Sequence, residues 1–308
     1  MKAKMLVALL TTFLFTGSAS AQAKLNVVTT TEDLASIARE VAGDRASIES
    51  LARGYQDPHF VEPKPSFILK LQKADVLVAV GRELEIGWLP PLIQQSRNSR
   101  IQPGADGYLD ASLHAEILEV PQGQITRAMG DVHPLGNPHY WLDPENGKRI
   151  AKDEADKFSE MRPNDRAYFQ QRLADFTSRL DAAEKRWLAA IAPYKGTKVV
   201  TYHRSFPNFA KRFGLDIIGY VEPRPGIPPT PTHLAELIER SKRDRPKAVV
   251  YSPYHNVRPV EFLSERTAVP KVMLPFTVGG TPKAKDLFGL YDDCIERLLV
   301  AVSGRGSD

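Results

Sequence analysis

One cysteine, Cys294, stands in a chain of 308 residues. An intrachain disulfide and a zinc site built on thiolates are therefore both excluded. No glycine-rich loop that could cradle a nucleotide phosphate occurs, and no HExxH pair, so a self-powered pump and a helix-borne zinc protease both lack their motifs. Charge of one sign is scarce as well: 41 basic residues against 37 acidic ones leave +4. With no basic run or aromatic-interleaved basic stripe, a nucleic-acid partner is not implied. Hydrophobic residues at 42% beside 25% charged rule out both a polytopic membrane protein and a wholly disordered chain.

What the chain does have begins at its N-terminus. Lys2 and Lys4 precede an apolar stretch over residues 5–15, and small residues follow at 17–21. That order is the one a secretory signal uses, with cleavage after Ala21 or Ala23, and the apolar part is too short to anchor in a bilayer. A lipid anchor would need a cysteine at the end of the signal, and none is there. The expectation is a periplasmic protein that is exported and not lipid-anchored. Cys294, in a terminal helical stretch, reads as a packed core thiol.

Beyond the signal, strands and helices alternate. Residues 25–31, 46–51 and 74–81 read as strands, with helical spacing over 34–41 and 66–71. The same grammar returns late: strands at 198–202, 216–221, 247–251 and 271–274, and helices at 206–213, 232–241 (capped at Thr232) and 286–302. Such alternation predicts mostly parallel sheets with covering helices, and ligands at the strand ends. Between the two sets, Phe169, Leu173, Phe176, Leu180, Ala183, Trp187 and Ile191 step by three and four. They predict one long amphipathic helix with Asn164 as its cap and Pro193 as its stop, a spine that resists hinge motion. The fold class is α/β, with two α/β lobes of mostly parallel sheets joined by the long helix. The division is a signal peptide (1–21), an N-terminal lobe (22–163), a connecting helix (164–192) and a C-terminal lobe (193–308).

Three of the seven histidines stand where the sequence predicts the start of loops. His59 follows Asp57-Pro58, His139 follows Asn137-Pro138, and His203 directly follows a strand. Neutral imidazole is the commonest protein metal ligand, and a proline before the first two fixes the backbone's approach. The separations match no local zinc motif, so only the fold could bring the three together; unrelated surface histidines stay open at this point.

These residues carry a resemblance. Asp57-Pro-His59 with Glu62-Pro-Lys-Pro-Ser66, Asn137-Pro-His-Tyr-Trp-Leu-Asp-Pro144, and Tyr202-His-Arg-Ser-Phe206 resemble, in order, the ligand loops of periplasmic zinc- and manganese-binding proteins of ABC transporters. The resemblance implies two lobes joined by a long helix, with metal bound by His59, His139 and His203. It also implies a permease and an ATPase as partners, membrane contact only through the permease, and a monomer. Histidine at the third position resembles the zinc branch, and three imidazoles suit Zn(II) better than Mn(II), which favours oxygen.

The fourth ligand departs from the family pattern. Its relatives commonly carry an aspartate near the last strand, but residues 272–280, with Leu274 and Pro275, contain no acid. Water or a small anion, His255, Glu222 or Asp286 are the candidates for the open position. His133 reads as a solvated loop residue, His114 and His233 as surface residues on helices. Asp57 and Asp143 are candidate acceptors for the ligands' N–H groups, or plain turn residues before proline. Alternatives in function are a manganese carrier of the same class, a secreted zinc hydrolase using Asp57, Glu62 or Asp143 as base, and an adhesin.

Overall fold

The computed structural model describes residues 23–123, 130 and 132–304; the signal-peptide reading of residues 1–21 lies outside them. The chain starts with β1 (Leu25–Thr29), α1 (Glu32–Ala42), β2 (Ala46–Ser50), α2 (Pro65–Lys73), β3 (Val76–Ala79), α3 (Leu89–Ser96) and β4 (Tyr108–Asp110). These strands form one sheet in the order β2-β1-β3-β4, parallel throughout. After α4 (Pro144–Met161) and α5 (Arg166–Ile191) comes a second alternation: β5 (Lys198–Thr201), α6 (Pro207–Phe213), β6 (Asp216–Tyr220), α7 (Pro231–Asp244), β7 (Ala248–Tyr251), α8 (Val257–Thr267), β8 (Lys271–Met273) and α9 (Leu287–Val302). Its sheet repeats the pattern as β6-β5-β7-β8, again parallel. The fold is two parallel-sheet α/β lobes with a long helix, as the alternation predicts.

Parallel strands are covered on both faces, which is why β3 reads Val-Leu-Val-Ala and is buried at every position. On the outer face of the first sheet, Val28, Leu77 and Ala79 pack with Leu71, Trp88, Leu92 and Ile93 of the α2–α3 segment. On the outer face of the second, Val200 and Val249 pack with Leu237, Val260 and Leu263 of α7 and α8. The two inner faces share a single core. Val27 and Val78 of one sheet, Val199 and Val250 of the other, and Ile37, Phe158, Phe176, Trp187, Leu290 and Leu298 of the helices between belong to one contiguous cluster. Each such side chain contributes roughly 1.5–3 kcal/mol by leaving water.

The spine is real but differs in detail. Phe169, Phe176, Leu180, Ala183, Trp187 and Ile191 are buried on α5, as spaced, while Leu173 packs at the cluster's margin. Its 26 residues make a rod of ~40 Å. A 3-10 turn at Pro163–Asp165 precedes it, so Asp165 rather than Asn164 stands at its cap position. The spine is also not single: α4 lies beside α5, burying Ile150, Ala151, Ala155 and Phe158. For α7 the cap is Thr230, not Thr232, because Pro231 takes the first helical position, where its missing N–H costs nothing. Cys294 is buried and donates to the Pro275 carbonyl at 3.1 Å, as a core thiol should.

Candidate metal centre

His59 lies in the loop after β2, His139 between β4 and α4, and His203 two residues beyond β5. All three therefore sit at the carboxyl-end side of parallel strands, where an open α/β sheet leaves a crevice. The fold gathers them: their ring centroids are 5.1 Å (His59–His139), 5.6 Å (His59–His203) and 5.4 Å (His139–His203) apart. One ligand atom from each lies within 4.8 Å of the others. Beside them opens a cleft of about 550 Å³, lined by His133, His139, His203, Arg204 and three prolines of the 223–225 and 138 turns.

The first two loops use the same local device. In Asp57-Pro58-His59, one Asp57 oxygen accepts from the His59 backbone N–H at 3.0 Å and pairs with the ring Nδ1 at 2.7 Å. In Asn137-Pro138-His139, Asn137 Oδ1 does the same at 2.9 and 2.8 Å. A short acceptor two residues ahead, across a proline of fixed φ, thus holds both backbone and ring. His203 obtains its acceptor from farther off: Glu222, beyond β6, pairs with Nδ1 at 2.7 Å. The Arg204 carbonyl adds a second acceptor to His139 Nδ1 at 3.1 Å.

These partners fix the tautomers. Carboxylates, an amide oxygen and a carbonyl can only accept, so each Nδ1 carries the proton and each Nε2 presents a lone pair. His139 Nε2 is fully buried with no hydrogen-bond partner among the described residues. Burial, reinforced by the neighbouring His59, His203 and His133, pushes the His139 pKa well below the usual imidazole value, so the ring is neutral. Burial alone would raise Asp57; the hydrogen bonds and charge of His59 outweigh it and hold the carboxyl below its ordinary range. Further out, Trp88 donates to the Pro58 carbonyl at 2.9 Å and Trp141 to the Phe276 carbonyl at 3.1 Å, which pins both loops.

The other expected residues divide. Asp57 does accept from a ligand ring, but Asp143 instead caps α4 at Glu145 N and pairs with Arg212 at 2.7 Å. Glu222 is tied to His203 Nδ1, and Asp286 caps α9. His255 accepts the Ser252 N–H on Nδ1 at 3.0 Å and stacks on Tyr202, so its Nε2 carries the proton and has no lone pair to offer. His133 is not a solvated loop residue: it is half-buried, with Nε2 3.2 Å from that of His59. The loop showed no periodicity that could place it. His233 is on α7, bound to the Tyr220 carbonyl at 2.9 Å. His114 is exposed, in a turn after β4 rather than on a helix, paired with Asp153 at 2.7 Å. Asn137 and Glu222 as orienting partners went unforeseen, although an Asx two residues before a histidine is a readable signal. The other carboxylate cluster of ligand spacing among the described residues, Glu145, Asp181 and Glu184, closes on the Lys148 ammonium.

Comparison with known proteins places the chain in one family. The family model described as zinc-uptake complex component A, periplasmic (ZnuA) matches residues 27–301. A manganese ABC transporter substrate-binding lipoprotein, PsaA of Streptococcus mitis, is 26% identical over 87% of this chain and 85% of its own. The zinc-binding lipoprotein AdcA of Streptococcus pneumoniae is 27% identical over 73% of this chain and 44% of its own. A crystal structure of ZnuA superposes with a TM-score of 0.77 at 21% identity, over 91% of this chain and 99% of that one. The relatives' names overturn one expectation: PsaA and AdcA are lipoproteins, so the reading of a protein that is not lipid-anchored is withdrawn. It rested on cysteine placement, the chemical requirement of a single attachment route, which does not decide where members of this family reside. Matched from its first strand to its last helix, the chain belongs to the ZnuA family.

Proposed function

We propose that this protein captures Zn(II) on the Nε2 atoms of His59, His139 and His203 and passes it to the permease of an ABC importer driven by a separate ATPase. The wider class, a metal-binding substrate-binding protein of an ABC transporter, is that of its family and relatives. The observation that carries the ligand set is the convergence of three imidazoles with one ligand atom from each within 4.8 Å of the others, every Nδ1 committed to an oxygen and the Nε2 of His139 buried and unpartnered among the described residues. A buried acceptor without a donor is costly unless something electrophilic fills the space.

Zinc is favoured over manganese by the donor set. Three neutral imidazoles suit a borderline-soft ion, and residues 272–280, which contain no acid, set the Phe276 ring 5.2 Å from that of His139. A carrier is favoured over a hydrolase because the nearby acids are spent: Asp57 and Glu222 orient rings, and Asp143 is held by Arg212. The test is elemental analysis of the purified protein, then zinc–manganese competition on wild type and on His59→Ala, His139→Ala and His203→Ala. Each substitution should weaken zinc binding by orders of magnitude in a folded protein. Three variants that still bind like the wild type would remove the site, and manganese affinity equal to that for zinc would return the reading to a manganese carrier.

A further inference from the structure

The His133 ring stands beside this site, against His59 and just outside the group of three whose ligand atoms lie within 4.8 Å of one another. Its Nε2 is 3.2 Å from His59 Nε2, and a zinc tetrahedron with Zn–N near 2.0–2.1 Å has N···N edges of about 3.3 Å. The His59–His133 centroids are 5.2 Å apart, within the span of the three histidines already described, and His133–His139 are 6.4 Å apart. His59 Nδ1 donates to Asp57, so its Nε2 is a lone pair. At this separation the two Nε2 atoms share a proton in the metal-free protein, and a cation can take that proton's place once the His133 proton moves to Nδ1.

The loop that carries His133 is tethered at this spot. Arg82, in a left-handed turn at φ 53°, donates from its guanidinium to Ser112 Oγ at 3.0 Å and to the Leu135 carbonyl at 3.3 Å. Gly136 closes a turn on the His133 carbonyl at 3.1 Å, and Asn137 N binds the Leu118 carbonyl at 2.8 Å. Among the described residues the other candidates are taken: His255 has its lone pair occupied, Glu222 and Asp57 hold rings, and the segment after the last strand offers Phe276.

We infer that His133 is the fourth metal ligand, closing an all-imidazole site from a loop on the open side of the cleft. The inference rests on the three-histidine reading and deepens it. Four neutral nitrogens leave no hard oxygen in the coordination sphere, which sharpens discrimination against manganese. Closure from a loop, rather than from a sheet, also makes the last ligand the first that can leave.

The experiment uses Co(II) as a spectroscopic stand-in for zinc on wild type, His133→Ala and His133→Cys, with zinc affinity measured in parallel. The expected result for His133→Ala is a zinc affinity lowered by at least the roughly 10- to 100-fold that outer-shell losses cost, with altered cobalt d–d bands. His133→Cys should give a thiolate-to-cobalt charge-transfer band, and since Cys294 is buried that band can come only from position 133. Unchanged affinity and d–d bands in His133→Ala, or no charge-transfer band in His133→Cys, would overturn the assignment. Failure of the underlying site reads differently, as undiminished zinc binding in His59→Ala, His139→Ala and His203→Ala.

Discussion

Asp57 and Asn137 do the same work with different charge. Each holds the backbone N–H and the ring of the histidine two residues on, so the geometry needs an oxygen and not a carboxylate. Asp57→Ala should therefore lower zinc affinity about 10- to 100-fold, whereas Asp57→Asn, which reproduces the Asn137 arrangement, should keep most of it; isothermal titration of both variants checks this. A second prediction concerns acidity in the metal-free protein. Burial pushes His133 down to about 4 and His255 to about 3, and His139 lower than usual as well. Each binds more protons unfolded than folded below ~6.5, so stability should fall as pH drops from there. Burial has the opposite consequence for several acids, raising Asp33 to about 8, Glu85 to about 7 and Glu154 well above the usual carboxyl range. The folded state holds their protons longer, so their contribution is full below ~4 and is lost as pH rises through 7 and 8. The denaturation midpoint should fall as pH rises above about 6.5, and Asp33→Asn should flatten that alkaline decline. The motifs around His59, His139 and His203 were legible because each is local. Glu222, brought to His203 only by the pairing of β5 with β6, was not, and neither was His133, whose loop has no pattern to read.

Helix α5 shows how far periodicity reaches. Its apolar spacing survives in the fold because those side chains enter the shared core, and Phe176, fully buried beside Phe288 with centroids 5.8 Å apart, sits near its middle. Phe176→Ala should cost about 3–5 kcal/mol in urea denaturation while leaving zinc affinity unchanged, since no ligand loop rests on that ring. Helix α4 escaped notice although Asp143 and Pro144 spell a cap and a first turn. Its face is crowded with charge, and Asp153 and Glu154 are nevertheless buried, so polarity concealed an interior helix. The same limit explains α7: the choice between Thr230 and Thr232 turns on which residue precedes the proline, a matter of backbone geometry rather than of apolar period.

Across the whole molecule the lobes are fastened by segments far apart in sequence. Val278 N donates to Asp33 at 2.8 Å, Thr277 Oγ1 to the Gly54 carbonyl at 2.6 Å, and Leu287 N to Ser36 Oγ at 3.0 Å. Gly54 itself must lack a side chain, for a Cβ there would lie 2.0 Å from the Val278 carbonyl oxygen. Asn137 Nδ2 reaches the Arg204 carbonyl at 2.8 Å, so the second and third histidine loops are also joined. No local pattern announces contacts of this range; two sheets could be read from the sequence, but not their common interior. Mechanically, the cleft is a notch cut into one solid rather than the gap of a hinge. Opening it as jaws open would tear the contiguous core that both sheets and α5 share, exposing buried apolar surface at roughly 25 cal/mol per Å². Metal must then enter and leave by rotation of imidazoles and displacement of a loop. Spin labels on α2 and α7 should accordingly report the same separation with and without zinc, and a shift of many ångströms would show that the two lobes swing after all.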